Sequence, residues 1–370
     1  MIKKIELKDF KIHANLELPL AGLTILTGQN GMGKSSVLQS LLLLRQSYDQ
    51  YDDIKGINLK GDLTDLGSAN DVECQSSKDG ILGIKLFLSE GNDLEFHFSY
   101  DVETYDTFLP AVDEAMKLEG INKCSLFTND FQYISAFRLG PQKGYERDTN
   151  IVQFERQISK INGQCEYAIH YLYYYGKKVH CLPQLLIGND DTLETQVQNW
   201  MQYISPRVNI NIETMGADFK LNYKFSRDGQ PITEEMSAVN VGYGVTYVLP
   251  ILVAILSATP GSLILIENPE AHIHPRAQAE LMNLIMNAVK AGIQIIIETH
   301  SDHIMNGALV SIAEDSENLE HVKAYYFERD DASHTSVPRM LEILKDGRIS
   351  NPPKGFFDQI DIDMRKIMGF

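Results

Sequence analysis

Residues 23–48 read LTILTGQNGMGKSSVLQSLLLLRQSY, and this stretch decides the fold. A β-branched apolar run predicts a strand, a glycine turn follows it, and an apolar run of helical length comes next. Between strand and helix, residues 28–35 (GQNGMGKS) match GxxxxGK[ST] in full, in the context that makes the pattern a phosphate-binding loop. Gly28, Gly31 and Gly33 let the backbone fold around phosphates, and the amides opening the helix supply donors backed by the helix dipole. Lys34 is placed to pair with the β- and γ-phosphates and Ser35 to offer its hydroxyl to magnesium, with Asn30 and Ser36 completing the expected nucleotide-binding set.

At 370 residues the chain has room for one large α/β domain with an insertion, or for two modest domains. A composition 44% hydrophobic and 22% charged is ordinary for a globular protein. Lys and Arg total 33 against 50 Asp and Glu, and the net charge of −17 disfavours a broad hold on nucleic-acid backbones. Contact with DNA or RNA is then expected only through a local basic patch or a partner. The four cysteines, Cys74, Cys124, Cys165 and Cys181, show no CxxC spacing and read as reduced thiols. No apolar signal core or membrane-length run is seen, so a cytoplasmic location without a membrane is expected.

Alternation in residues 2–20 (IKKIELKDFKIHANLELPL) predicts a hairpin with one buried face. From about Leu66 to Asp190 short strands, a polar stretch and the tyrosine-rich YAIHYLYYYGKKVHCL suggest an inserted α+β subdomain. The expected organisation is an N-terminal lobe over 1–66, an insertion over 67–195 and a C-terminal lobe over 196–370. In the last, a glycine turn opens a long apolar helix containing Pro250. SLILIE and IQIIIE read as central parallel strands covered on both faces, joined by an amphipathic helix that Gly292 stops.

Kinases and GTPases also carry P-loops, so the class rests on three further features. Glu267 ends an apolar strand, where a carboxylate can hold magnesium through water. Thr299 and His300 directly follow the next apolar strand, and Asn240, Gly242 and Gly244 open a helix shortly before the acidic one. Alone, a glycine pair is a turn and a lone histidine is structural; their joint order after a full P-loop favours function. With residues 266–275 (IENPEAHIHP) and 297–306 (IETHSDHIMN), the chain resembles the soluble ABC-type ATPases of the SMC, RecF and overcoming-lysogenisation-defect (OLD) group. Residues 133–142 (YISAFRLGPQ), 240–252 (NVGYGVTYVLPIL) and 346–359 (DGRISNPPKGFFDQ) resemble compact bacterial AAA-labelled ATPases of unassigned function. The resemblance implies a P-loop ABC-type α/β fold with a mixed sheet and RecF-like lobes. It also implies a Mg-ATP-driven homodimer in which Asn240, Gly242 and Gly244 of one subunit cap the other's nucleotide and His300 reads the γ-phosphate. Such proteins act in DNA repair or phage defence beside a nuclease or toxin effector.

In this alignment Glu267 takes the metal role and Asn268 falls where a water-orienting glutamate is usual. An amide orients water through its carbonyl but takes no proton at neutral pH. Slow hydrolysis is therefore expected, unless Glu270 substitutes in its own site or across the dimer. His272 and His274 lack acidic or thiol companions at ligand spacing and read as packing and hydrogen-bonding residues rather than a metal site. Arg138, Lys143 and Arg147 form a short basic stretch among aromatics, readable as a phosphate contact or as an ordinary surface loop. Glu328, Asp330 and Asp331 read as a solvated turn. Gln39, Gln46 and Gln75 are candidates for a glutamine linking metal to neighbouring domains.

No heptad series is present, so SMC-type tethering through coiled coils is not expected. With 70 residues following His300, the cleavage domain of OLD nucleases is not expected. Competing readings are a non-hydrolysing ATP-dependent binding module, the energy subunit of a transporter, and a small-molecule kinase. The kinase would need neither the glycine turn nor His300.

Overall fold

The computed structural model describes every residue except 52–53, 76, 78, 113–119, 227–232, 331–333, 354–355, 357–358 and 370. β1 (Ile2–Phe10) and β2 (His13–Pro19) form an antiparallel hairpin in which Ile5 faces Leu18 and Leu7 faces Leu16, so alternation buries one face. β3 (Leu23–Gly28) runs into the glycine loop, and α1 (Lys34–Tyr51) begins at the loop's lysine. Leu38, Leu41, Leu42, Leu43 and Leu44 are all buried, so α1 is covered on several sides rather than along one stripe. Each such leucine stabilises the fold by about 2 kcal/mol relative to exposure.

The chain continues through β4 (Gly56–Asn58), the one-turn α2 (Ala69–Val72), β5 (Ile81–Leu88), β6 (Leu94–Ser99), β7 (Phe108–Pro110) and β8 (Phe131–Ile134). Helices α3 (Ala168–Tyr175) and α4 (Leu193–Ile204) precede β9 (Val208–Met215), β10 (Asp218–Phe225) and β11 (Met236–Ser237). Then come α5 (Tyr243–Ser257), which runs through Pro250 as one helix, β12 (Leu263–Glu267), α6 (Pro275–Lys290) and β13 (Gln294–Glu298). α7 (Asp302–Glu314), β14 (Val322–Arg329), β15 (Ser336–Met340) and α8 (Gln359–Met368) follow.

The main sheet has the order β15-β14-β3-β13-β12-β8, parallel throughout except for the β14–β15 pair. Both faces are covered, as the continuous apolar runs predict. In β12, Ile264 and Ile266 enter the core with α3 to α7, while Leu263 and Leu265 enter the other core with α1 and the first hairpin. This order puts β13 directly between the P-loop strand β3 and the acidic strand β12.

Residues 67–195 are shared between the two layers rather than set apart as an insertion. β5 pairs with β1, Leu86 facing Ile5 and Ile84 facing Leu7, and β6 extends the result to a four-stranded sheet β2-β1-β5-β6. β8 pairs with β12 at the edge of the main sheet. The physical reason is edge pairing: β1 in a lone hairpin, and β12 without β8, would each leave a row of backbone donors and acceptors unmet. Among the described residues no helix is long and apolar enough to cross a membrane.

Candidate functional site

The P-loop backbone needs its glycines. Gly28 (φ +129°), Gly31 (φ +76°) and Gly33 (φ +93°) lie where side chains are strained, and a Cβ on Gly28 would sit 2.6 Å from the Phe327 carbonyl oxygen. A Cβ on Gly33 would meet the His13 ring at 2.8 Å. His13 is buried and its Nε2 donates to the Gly33 carbonyl at 2.9 Å, so β2 braces the loop from below. Burial holds the His13 imidazole below its ordinary pKa, and its Nδ1 has no partner.

Lys34 is buried, and its ammonium donates to the Gly28 and Gln29 carbonyls at 3.0 and 2.7 Å, curling the loop closed. Burial lowers its pKa, with Glu298 opposing. Asn30 and Gly31 stand exposed at the crest of the loop, while Ser36 is buried at the start of α1. The His300 ring lies beside the Gly28 backbone; burial, helped by the Lys34 charge, lowers its pKa.

Two glutamates end neighbouring strands in register, Glu267 on β12 and Glu298 on β13. Glu267, expected to face the metal, turns toward β8: Tyr133 Oη donates to its Oε1 at 3.0 Å and the Ala136 amide to its Oε2 at 3.1 Å. Burial and the nearby Glu267 push the Tyr133 phenol up, so it remains a donor. Glu298, in contrast, accepts from the Ser35 hydroxyl at 2.8 Å. Its second oxygen is buried without a partner, and burial raises its pKa to about 6.

Asn268 adopts φ +43°, a left-handed position that asparagine tolerates better than most residues. Its amide donates to the Glu298 carbonyl at 2.8 Å, and its Nδ2 to Glu270 Oε1 at 3.3 Å. Glu270 is tied further to the end of β13, accepting from the Thr299 hydroxyl at 2.8 Å and the His300 amide at 3.0 Å. Asn268, Glu270, Thr299 and His300 thus form one network.

Arg138 fits neither reading of its segment, phosphate contact or ordinary surface loop. It is 1% exposed, and its guanidinium donates to the carbonyls of Tyr247, Ser135, Glu267 and Asn268 while lying over the Tyr247 ring. A buried cation so occupied fastens the ends of β8, β12 and α5 to one another and has little left for a ligand. Lys143 and Arg147 remain exposed, the latter over Phe219.

In the glycine turn, Asn240 and Gly242 are exposed and nothing approaches within 4 Å of a Cβ placed on Gly242. Gly244 serves a different need: a Cβ there would collide with the His272 carbonyl, so glycine lets α5 approach the loop after β12. The His272 ring packs edge-on against Tyr247 at 4.7 Å, and His274 Nδ1 accepts from the Arg276 amide at the start of α6. Glu328 and Asp330 are exposed at the end of β14, and Asp331 lies outside the described residues. Gln46 is consumed by the backbone of residues 58–64, Gln39 by Lys11, and Gln75 is exposed.

Glu298, Tyr133 and His13 were not singled out by sequence. For Glu298 a signal existed, since LILIE and QIIIE end alike and only the second leads into Thr-His. A hydroxyl, two strand-end carboxylates and a buried lysine below a glycine loop suit a nucleotide phosphate chain with a hard divalent cation, and the orphaned Glu298 oxygen fits that donor set.

Comparison with known proteins bears on the family and the fold. The family model described as "AAA ATPase domain" matches residues 1–213. A second AAA domain model, whose description names the AbiEii toxin of a type IV toxin–antitoxin system, matches residues 202–306. A model described as "Protein of unknown function (DUF3696)" matches residues 318–367. A curated OLD nuclease of Thermus scotoductus is 26% identical over 113 residues, 29% of this chain and 21% of that protein's length. The chain therefore matches about a fifth of that relative. The Smc head bound to the C-terminal winged-helix domain of ScpA aligns at TM-score 0.56 and 14% identity, covering 92% of this chain and 98% of that one. The Smc head with an extended coiled coil bound to ScpA from Pyrococcus furiosus aligns at TM-score 0.53 and 11% identity, covering 99% of each. These likenesses show the fold: an α/β ATPase domain of the SMC-head type.

Proposed function

The chain belongs to the AAA ATPase domain family, and from that premise we propose that it is a slow, ATP-gated switch that closes as a homodimer and signals to an effector. The observation that carries this reading is the state of the acids beside Asn268. The side chain at the water-orienting position takes no proton, and both oxygens of Glu270 are already engaged by Thr299, His300 and Asn268 itself. Neither Asn268 nor Glu270 then offers a free base for proton removal from an attacking water, so turnover is limited by chemistry rather than by nucleotide capture.

Capture follows from the loop. Lys34 has to exchange the carbonyls of Gly28 and Gln29 for phosphate oxygens, beside the His300 ring whose amide is bonded to Glu270. Magnesium, when bound, supplies neutralisation of the β- and γ-phosphate charge. Backbone amides of residues 31–36 bind the phosphates, Lys34 offsets their charge, and His300 stands where it can report a γ-phosphate.

Dimer closure is supported by the surface around the glycine turn. Asn240 and Gly242 lie open next to Tyr243, 61% exposed, and the loop carrying Phe137, 79% exposed, packs beside Tyr243 through Gly140. Exposed aromatics flanking a bare helix start form a surface suited to covering the nucleotide of a second copy. The effector fits a nuclease or toxin in a cytoplasmic nucleic-acid or phage-defence pathway, in keeping with the toxin system and the OLD nuclease named among the similar proteins.

The test is ATP turnover of the purified protein with and without duplex DNA, using Lys34→Ala as the blank. Basal turnover well below about one per second is expected; a faster rate, inside the usual enzyme range, would sink the switch. ATP binding with no phosphate release under any condition would favour the binding-module reading, for which Asn268 is the specific ground.

A further inference from the structure

We infer that Ser336 and His13 are positioning residues of the phosphate loop: they hold the Met32 and Gly33 carbonyls outward and thereby aim the Gly33 and Lys34 amides at the nucleotide phosphates. The inference rests on the reading of the loop as a nucleotide site and names what sets its shape. Ser336 opens β15, is buried, and its hydroxyl donates to the Met32 carbonyl at 2.6 Å. His13 on β2 is buried as well and donates from Nε2 to the next carbonyl, that of Gly33, at 2.9 Å. A trans peptide is planar, with each carbonyl antiparallel to the amide of the following residue, and no peptide among the described residues is cis. Fixing the Met32 carbonyl on Ser336 therefore turns the Gly33 amide the opposite way, and fixing the Gly33 carbonyl on His13 does the same for the Lys34 amide. Lys34 opens α1, and the amides that open a helix lack partners inside it and bind anions.

Two further observations separate this role from packing. His13 Nδ1 is buried without a partner, a cost that an apolar side chain would not carry, so the polar ring is explained by the bond its other nitrogen makes. Ser336 is bonded on two sides, since its amide also donates to the Ile12 carbonyl at 3.0 Å, directly before His13. The two donors therefore form one brace across the β1–β2 turn and β15. Only the tertiary fold assembles it: His13 and Gly33 are 20 residues apart, and Met32 and Ser336 are 304 apart. Ser336 also falls within residues 318–367, matched by the family model of unknown function, and the brace gives that C-terminal segment a direct part in nucleotide capture.

The experiment measures binding of Mg-ADP and Mg-ATP by calorimetry, with urea midpoints alongside, for wild type, Ser336→Ala, Ser336→Thr, His13→Leu, His13→Gln and Lys34→Ala. Ser336→Ala should weaken both nucleotides by at least about fivefold, while Ser336→Thr, which keeps the hydroxyl, should stay within about twofold of wild type. His13→Leu should weaken them by a similar factor, and His13→Gln, whose side-chain amide can donate to the same carbonyl, should recover most of the loss. A residue serving stability alone would lower the urea midpoint and leave affinity in place. Affinity within about twofold of wild type in Ser336→Ala or in His13→Leu overturns the proposal for that residue. An equal loss in Ser336→Ala and Ser336→Thr, or in His13→Leu and His13→Gln, overturns it as well. Should the His13 variants fail to fold, the Ser336 pair decides, because it differs from wild type by one hydroxyl or one methyl group. Wild-type affinity no tighter than that of Lys34→Ala brings down the P-loop reading itself, a separate result because neither Ser336 nor His13 enters that comparison.

Discussion

β12 and β13 are parallel neighbours that end in register on the same residue type, but their glutamates meet opposite surroundings. At the β12 end every group is engaged: Glu267 by Tyr133 and Ala136, and its carbonyl, with that of Asn268, by Arg138. At the β13 end Glu298 has one hydrogen bond, an orphaned oxygen and a raised pKa of about 6. The contrast separates a scaffold from a site. Groups whose hydrogen bonds are complete hold geometry; a buried acid with an unmet oxygen, next to a P-loop serine, still has a hydrogen-bonding position open.

The largest expected effect lies on the scaffold side. Arg138→Ala removes four side-chain hydrogen bonds to backbone carbonyls and should cost about 3 kcal/mol in urea denaturation, and Arg138→Lys should not restore it, because an ammonium lacks the planar fork. A loss below about 0.5 kcal/mol, the range of ordinary surface changes, would place Arg138 outside the scaffold.

On the site side, the metal-free protein should report Glu298 in its pH dependence. The folded pKa of about 6 stands above the ordinary carboxyl value of 4.5, so the folded state holds more protons between the two. The stability contribution is then full below about 4.5 and is lost as pH rises through about 6, a change of about 2 kcal/mol. Comparing urea midpoints of wild type and Glu298→Gln across that window checks the sign, because the variant should lack this component.

Between scaffold and site stands Asn268. If the missing proton acceptor limits turnover, Asn268→Glu should raise ATP hydrolysis by about tenfold or more, at a fold cost of about 1 kcal/mol for a side chain less tolerant of positive φ. Unchanged or lower turnover would point to Glu270 as the working base. The smallest effect belongs to Tyr133→Phe, which removes one hydrogen bond to Glu267 and should cost about 1 kcal/mol while leaving nucleotide affinity in Mn2+ within about twofold. A larger affinity loss would show that cation binding depends on how Tyr133 holds Glu267.

Much of this molecule follows from short-range pattern. The glycine loop, the strand and helix around it, the hairpin of residues 2–19 and the apolar strands 263–267 and 294–298 are all legible, because periodicity and glycine conformation act over a few residues. Glu267, Asn268, Glu270 and His300 were likewise visible as residues at strand ends. Their connections were not: a side chain at a strand end has several neighbours within reach, and sequence does not say which one it faces.

What the sequence by itself determined, then, is the element types, the phosphate loop and the absence of an acid at position 268. Only the tertiary structure decided that β5 and β8 complete sheets started far away in the chain, that Arg138 is buried, and that Ser35 meets Glu298. The physical reason is that strand edges and buried polar groups are satisfied by whatever the whole fold brings near. Among these pairs the separation runs to 263 residues between Ser35 and Glu298, far beyond any local periodicity.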